Sequence, residues 1–205
     1  MNIESTIEKD LDWREKEIAS IRILLKSDNL SPLQKQALLR AAWAILYAHF
    51  EGFCKNSLTA FFEGISKSDI LCHELPYPTQ IFALKNRLTQ LKNLPNAELL
   101  DAILKFQSDE MEKIPIFPDV DTESNLWPSV LINLLEIANL DAERVRINEA
   151  KIKTLVSRRN KIAHGENNII NEVDYYFTYE EVVYTIIYDI ALQVIERLSK
   201  TPYSG

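Results

Sequence analysis

Apolar residues recur at intervals of three and four in the first part of the chain, which is the spacing of an amphipathic helix. Residues 3–26 and 32–62 each predict one long helix on this pattern. Ser31 and Pro32 give the second helix an N-cap and a proline at its first position, where a missing N–H is tolerated. The breadth of its apolar stripe indicates that this second helix is central to the fold.

The same spacing returns towards the end of the chain. A helix is predicted over residues 148–163, with Gly165 as its C-terminal stop. Residues 178–200 are rich in valine, isoleucine and tyrosine, which also suit strands. Their period and length decide for a helix, and Thr178 with Glu181 is predicted to form a capping box at its start.

The middle of the chain carries weaker periodic signals, interrupted by prolines. Short helices are predicted over 79–92, 96–105 and 129–139, an exposed loop over 114–125 and a polar loop over 166–176. The first two short helices have too little apolar surface for a core of their own. Residues 64–128 are therefore predicted to be a variable insertion within one domain of residues 1–205.

Composition supports an all-α fold. The chain is 46% hydrophobic and has only four glycines in 205 residues, which is few for a protein with many tight β-turns. Combined with the helical periods, this predicts an up-and-down helical bundle of four to five main helices with a short helical and loop insertion.

Charge and cysteine content limit the possible functions. Thirty acidic and 23 basic residues give a net charge of −7, so any contact with RNA is expected to be local rather than a broad basic surface. Cys54 and Cys72 are too few for a disulfide framework. With a charged start and no long apolar run, these features predict a cytoplasmic protein without a membrane span.

Arg159, Asn160 and His164 place a permanent cation, a small amide and a titratable imidazole within six residues, at the end of a predicted helix. Cleavage of RNA through its 2′-hydroxyl needs proton transfer, which histidine provides, and charge stabilisation, which a guanidinium provides. On an ideal helix Arg159 and His164 differ by about 140°, so either the helix end distorts or the arginine curls round. The alternative interpretation is a simple C-terminal cap, since basic residues are common there.

The segment Arg159-Asn160-Lys161-Ile162-Ala163-His164 resembles the R-x4-6-H signature of the HEPN superfamily, in the form where a polar residue follows the arginine. Three further blocks, in order, resemble a bacterial HEPN-like nuclease group. They are Trp13-Arg14-Glu15-Lys16-Glu17, Tyr47-Ala48-His49-Phe50-Glu51-Gly52-Phe53-Cys54-Lys55 and Ser124-Asn125-Leu126-Trp127. Leu155-Val156 leads into the signature, and the resemblance leaves out roughly residues 61–122.

The resemblance implies a metal-independent endoribonuclease that leaves a 2′,3′-cyclic phosphate and acts as a toxin or in anti-phage defence. By position, Arg159 and His164 are the catalytic pair and Asn160 is the supporting polar residue. A homodimer with both signatures facing a shared RNA cleft is implied as well. An antitoxin or a sensor protein is a possible further partner, and no cofactor and no metal are expected.

Four further residues are candidates for supporting roles. Glu51 either orients Arg159 or His164 or is only the polar side of its helix. Lys161, Arg158 and Lys153 are weaker candidates for contacts with the RNA backbone.

The acidic charge also supports a different class of function, a catalytically inactive helical module that binds RNA, a nucleotide or a protein partner.

Overall fold

The computed structural model describes residues 3–167 and 172–199, and the protein is all-α over these ranges, as predicted. The helices are α1 (Ile3–Leu25), α2 (Pro32–Ser66), α3 (Tyr77–Ala83), α4 (Lys85–Leu91), α5 (Asn96–Phe106), α6 (Pro128–Ile137), α7 (Glu143–Ile147), α8 (Glu149–Ala163) and α9 (Val173–Ser199). No helix in the described part of the chain is long and apolar enough to cross a membrane.

Helix α2 lies at the centre of the bundle and packs against α1, α8 and α9. It is apolar on most of its surface, and its aromatic side chains at positions 43, 47, 50, 53 and 61 are fully buried. The predicted N-cap is confirmed, because the Ser31 hydroxyl accepts from the Gln34 N–H and the Gln34 side chain accepts from the Ser31 N–H. This long central helix presents different faces to its three neighbours, which gives α1 and α8 fixed positions on it.

Helix α9 starts earlier than the sequence pattern predicts. It begins at Val173, so the predicted capping box of Thr178 and Glu181 is wrong: Thr178 lies inside the helix, and its hydroxyl donates to the Tyr175 carbonyl. The fully buried ring of Tyr176 packs edge-on against Trp43, and this burial stabilises a helical turn that looks polar in sequence. Of the predicted loop 166–176, residues 168–171 lie outside the described residues.

Residues 64–128, which the sequence predicts to be an insertion, also differ in detail from the prediction. Residues 79–92 form two helices, α3 and α4, which are separated at Leu84, and a π-helical turn (Gln107–Met111) follows α5. The predicted exposed loop 114–125 is anchored, because Val120 is buried and Phe117 packs against Phe62 and Phe82. The short helix α7 was missed, since the single buried residue Val145 gives no periodic signal.

Candidate active site

The guanidinium of Arg159 is held in one place by three groups. Its Nη1 donates to the side-chain oxygens of Asn125 at 3.0 Å and Asn160 at 2.9 Å. Its planar face lies over the ring of Tyr47, with 4.9 Å from the guanidinium carbon to the ring centroid. These contacts fix the orientation of the cation and leave it paired with amides instead of carboxylates.

Asn125 reaches Arg159 from a tight turn just before α6. Glu123 and Ser124 both have positive φ angles, 52° and 68°, which residues with a side chain rarely adopt. Asp121 accepts the Glu123 N–H, and the Thr122 carbonyl accepts the Asn125 N–H. Two consecutive left-handed residues cost about 1–2 kcal/mol each, so the surrounding contacts must hold this turn.

Tyr47 connects this turn to the central helix. Its hydroxyl accepts the Leu126 N–H at 2.8 Å, while its ring supports Arg159. Burial raises the pKa of Tyr47 to about 12, with a smaller contribution in the same direction from the Glu51 carboxylate, by its charge and as a hydrogen-bond acceptor. Glu51 is half-buried one turn along α2 and makes no ion pair with Arg159 or His164 within residues 3–167 and 172–199.

His164 is the exposed C-cap of α8. Its backbone N–H donates to the Asn160 carbonyl at 2.9 Å, so Asn160 contacts Arg159 through its side chain and His164 through its backbone. No hydrogen bond joins the side chains of Arg159 and His164 in the described ranges. The helix end is regular, and the arginine turns inward towards α2 while the histidine points to solvent.

Gly165 ends α8 as predicted, in a Schellman motif. The Gly165 N–H donates to the Ile162 carbonyl at 3.1 Å, and the Glu166 N–H donates to the Lys161 carbonyl at 3.0 Å. This geometry needs the positive φ of 75° at Gly165. The motif sets the direction in which the chain leaves α8 directly after His164.

Replacing Gly165 with alanine is expected to lower the free energy of unfolding by about 1 kcal/mol, because alanine disfavours the left-handed conformation. A Cβ atom at this position would meet open space, so the loss is conformational and not steric. Gly165→Asn is the matched control, since asparagine tolerates this conformation better and should lose less. Urea unfolding measures both variants, and equal stability of Gly165→Ala and wild type would contradict the Schellman assignment.

The three weaker candidates for RNA contacts lie in different settings. Arg158 is half-buried, with its guanidinium carbon 4.7 Å from the Trp43 ring centroid and 5.0 Å from that of Tyr175. Lys161 is exposed near the end of α8. Lys153 is exposed and pairs with Glu149 at 2.5 Å, two turns from the site. Arg158 and Lys161 therefore lie nearer to His164 than Lys153 does.

A second polar cluster lies between α1 and another face of α2. Arg14 is 5% exposed, and its guanidinium donates to the His49 carbonyl at 3.3 Å and pairs with Asp10 at 3.1 Å. His49 is 2% exposed, with its Nε2 2.7 Å from Glu17 Oε2 and its Nδ1 3.4 Å from Arg14 Nη1. A Cβ atom on Gly52 would lie 3.0 Å from Arg14 Nη1, so this glycine makes room for the guanidinium. The cluster joins the first two blocks of the family resemblance.

These contacts predict that His49 is neutral in the folded protein, with its proton on Nε2 towards Glu17. Burial lowers the pKa of His49, Arg14 lowers it further, and the charges of Glu17 and Asp10 oppose the shift only in part. The unfolded chain binds a proton below a pH of about 6.5, so stability from this site is present above that pH and is lost as the pH falls.

The measurement is urea unfolding between pH 8 and pH 5 for wild type and His49→Gln. The free energy of unfolding of wild type should fall by up to about 1.4 kcal/mol more than that of the variant for each pH unit below 6.5. Equal pH slopes for the two proteins would show that His49 does not titrate in this way.

The sequence model of the HEPN_MAE_28990-like HEPN family matches residues 3–203, which is nearly the whole chain. The chain belongs to the HEPN superfamily. Membership indicates a nuclease or RNA-related role in general, and HEPN domains often act as ribonucleases and dimerise. No curated protein and no solved structure matches this HEPN chain.

Sequence reasoning did not assign a role to Tyr47, Asn125 or Trp43. Asn125 and Tyr47 lie within blocks of the resemblance, but their contacts with Arg159 join segments far apart in the chain. Trp43 lies one turn before Tyr47 on α2, so an i, i+4 aromatic pair facing two adjacent arginines was a usable signal.

Proposed function

We propose that this HEPN chain is a metal-independent endoribonuclease with Arg159 and His164 as its catalytic residues. The main support is the fixed guanidinium of Arg159. Only its Nη1 is hydrogen-bonded to residues in the described ranges, so Nε and Nη2 remain available for phosphate oxygens. A guanidinium held by amides and an aromatic ring needs no rearrangement to bind an anion.

In the proposed reaction the ribose 2′-oxygen attacks the adjacent phosphorus, and the bond to the 5′-oxygen of the next nucleotide breaks. The products are a 2′,3′-cyclic phosphate and a free 5′-hydroxyl. Arg159 balances the charge that builds on the phosphorane oxygens. The 2′-hydroxyl loses a proton and the departing 5′-oxygen gains one, and His164 takes part in this transfer. Its exposed position at the end of α8 lets it reach the substrate. Asn160 supports both residues.

A homodimer completes this proposal. Within one chain Arg159 turns towards α2 and His164 points to solvent, so a second copy facing the first would surround one RNA strand with two such pairs. A dimer also confines the positive charge to a cleft, which suits a chain with a net charge of −7. A toxin or anti-phage role, restrained by an antitoxin or triggered by a sensor protein, is part of the same proposal.

The test is cleavage of RNA by purified wild type in EDTA, with analysis of the new ends. We expect 2′,3′-cyclic phosphate and 5′-hydroxyl ends, and no products from His164→Ala. Cleavage that requires a divalent metal, or the same products from His164→Ala, would overturn the proposal.

A catalytically inactive module is the second candidate function. The absence of a hydrogen bond between the described side chains of Arg159 and His164 within one chain, together with the acidic net charge, favours it. In that case Arg159 and Arg158 bind RNA, a nucleotide or a partner protein without chemistry. Tight binding of RNA with no cleavage under any tested condition selects this function over the first.

A further inference from the structure

Two adjacent arginines of α8 cover two aromatic rings of α2. Arg159 lies over Tyr47, and Arg158 lies over Trp43 four residues earlier on α2, a rise of about 6 Å. The Arg158 guanidinium carbon also lies 5.0 Å from the ring centroid of Tyr175, the third residue of α9, and this ring is 6.2 Å from that of Trp43. The surface beside Arg159 therefore continues through Arg158 to the ring of Tyr175.

Tyr175 is both exposed and held in place. Its side chain is 36% exposed, while its hydroxyl lies 2.5 Å from that of Tyr179 and its ring meets the Tyr179 ring edge-on at 5.0 Å. The hydrogen bond with Tyr179, followed by the nearness of Arg158 and Lys151, lowers the pKa of Tyr175. Because these contacts fix the ring, it loses little conformational freedom when a flat group stacks on it.

Two cations lie near the ring of Tyr175, although the chain as a whole is acidic and Asp174 precedes it. Arg158 lies against its ring, and Lys151 Nζ lies 5.8 Å from the centroid of the Tyr179 ring. Aromatic rings beside cations form the usual surface for single-stranded nucleic acid, because bases stack on the rings while the cations attract the backbone. This combination differs from Tyr188 on the same helix, which is 43% exposed but contacts the carboxylate of Glu15.

We infer that Tyr175 is the stacking platform for an unpaired RNA base, next to the phosphate bound by Arg159, and that Arg158 attracts the backbone between them. This inference rests on the proposed ribonuclease function for the position of the scissile phosphate. Stacking is tolerant of base identity, so the site prefers single-stranded to double-stranded RNA but does not prefer one base sequence. The first turn of α9 then determines this preference for unpaired RNA.

The experiment measures binding of a fluorescent single-stranded 2′-O-methyl RNA, which cannot be cleaved through its 2′-oxygen, by anisotropy. Tyr175→Leu is expected to raise Kd by about 5-fold to 150-fold, the equivalent of losing one stacked base. Tyr175→Phe should stay within about twofold of wild type, because the ring is kept. Tyr188→Leu, the matched control on the same helix, should bind as wild type does.

An abasic version of the same RNA should bind Tyr175→Leu and wild type equally. In Tyr175→Trp the added fluorescence should be quenched by the intact RNA, which reports stacking directly even if Tyr175→Leu folds poorly. Wild-type affinity in a folded Tyr175→Leu, or an equal loss in Tyr175→Phe, would overturn the inference. Tyr175-dependent binding by a protein that cleaves no RNA would support the inference while refuting the ribonuclease proposal.

Discussion

Replacing Arg159 with alanine is expected to lower the rate of RNA cleavage by about 10²-fold to 10³-fold, the usual effect of removing one preorganised donor to a transition-state anion. The guanidinium is oriented by Asn125, Asn160 and Tyr47, so its contribution depends on geometry as well as charge. Arg159→Lys should recover only a small part of the rate, because an ammonium cannot present two parallel donors to a phosphate. Single-turnover cleavage of a short RNA measures these rates.

Arg144→Ala is the matched control for Arg159→Ala. Arg144 is exposed on α7, away from the rings and amides that hold Arg159, so cleavage by this variant should equal that of wild type. Circular dichroism and thermal unfolding check that Arg159→Ala is folded. A folded Arg159→Ala that cleaves at the wild-type rate would remove Arg159 from the mechanism.

Replacing Arg22 with methionine is expected to lower the free energy of unfolding by about 3 kcal/mol, the low end of the range for breaking a buried ion pair, because the Arg22 side chain is 43% exposed. Its partner Glu180 is fully buried on α9 and accepts from Arg22 Nε at 2.8 Å. Glu180 Oε2 has no hydrogen-bond partner in the part of the chain that the structure describes. Removal of Arg22 therefore leaves a buried carboxylate without its cation.

Two further measurements identify the cause of that loss. Burial raises the pKa of Glu180, and Arg22 opposes this, so the carboxylate in Arg22→Met should bind a proton more readily than in wild type. A raised folded pKa means that the penalty is present at high pH and disappears as the pH falls through that pKa. The loss at pH 8 should thus exceed the loss at pH 5, and Arg22→Met/Glu180→Gln should lie within about 1 kcal/mol of wild type. A loss of unfolding free energy that is the same at pH 8 and pH 5 and persists in the double variant would indicate lost packing instead.

The helices were predictable where burial follows a regular period. The start of α1, the start and N-cap of α2 and the end of α8 lie where the pattern places them. The start of α9 was not predictable, because it depends on the packing of Tyr176 against Trp43, a contact between distant segments. The division of 79–92 at Leu84 has the same origin, since Phe82 must face Phe62 and Phe117.

The chemistry of the candidate site was predictable from local sequence, and its geometry was not. Arg159, Asn160 and His164 lie within six residues, so their types and spacing could be read directly. The groups that hold Arg159 come from α2 and from a turn with two left-handed residues, and nothing in the local sequence places these near α8. Glu51 illustrates the difference, because the sequence leaves its role open and the structure adds that its carboxylate raises the pKa of Tyr47.

The turn that carries Asn125 makes contacts of high sequence separation, which affects the order in which parts of the protein fold. The bond from Leu126 to Tyr47 spans 79 residues, and the bond from Arg159 to Asn125 spans 34. Contacts of such high sequence separation form only after long loops have closed. In a chain emerging from the ribosome, α1 and α2 can therefore pair first, and Arg159 is oriented only once α8 has been synthesised. Under the proposed activity, a nascent chain that ends before α8 lacks Arg159 and His164 and so cannot cleave the RNA on which it is made.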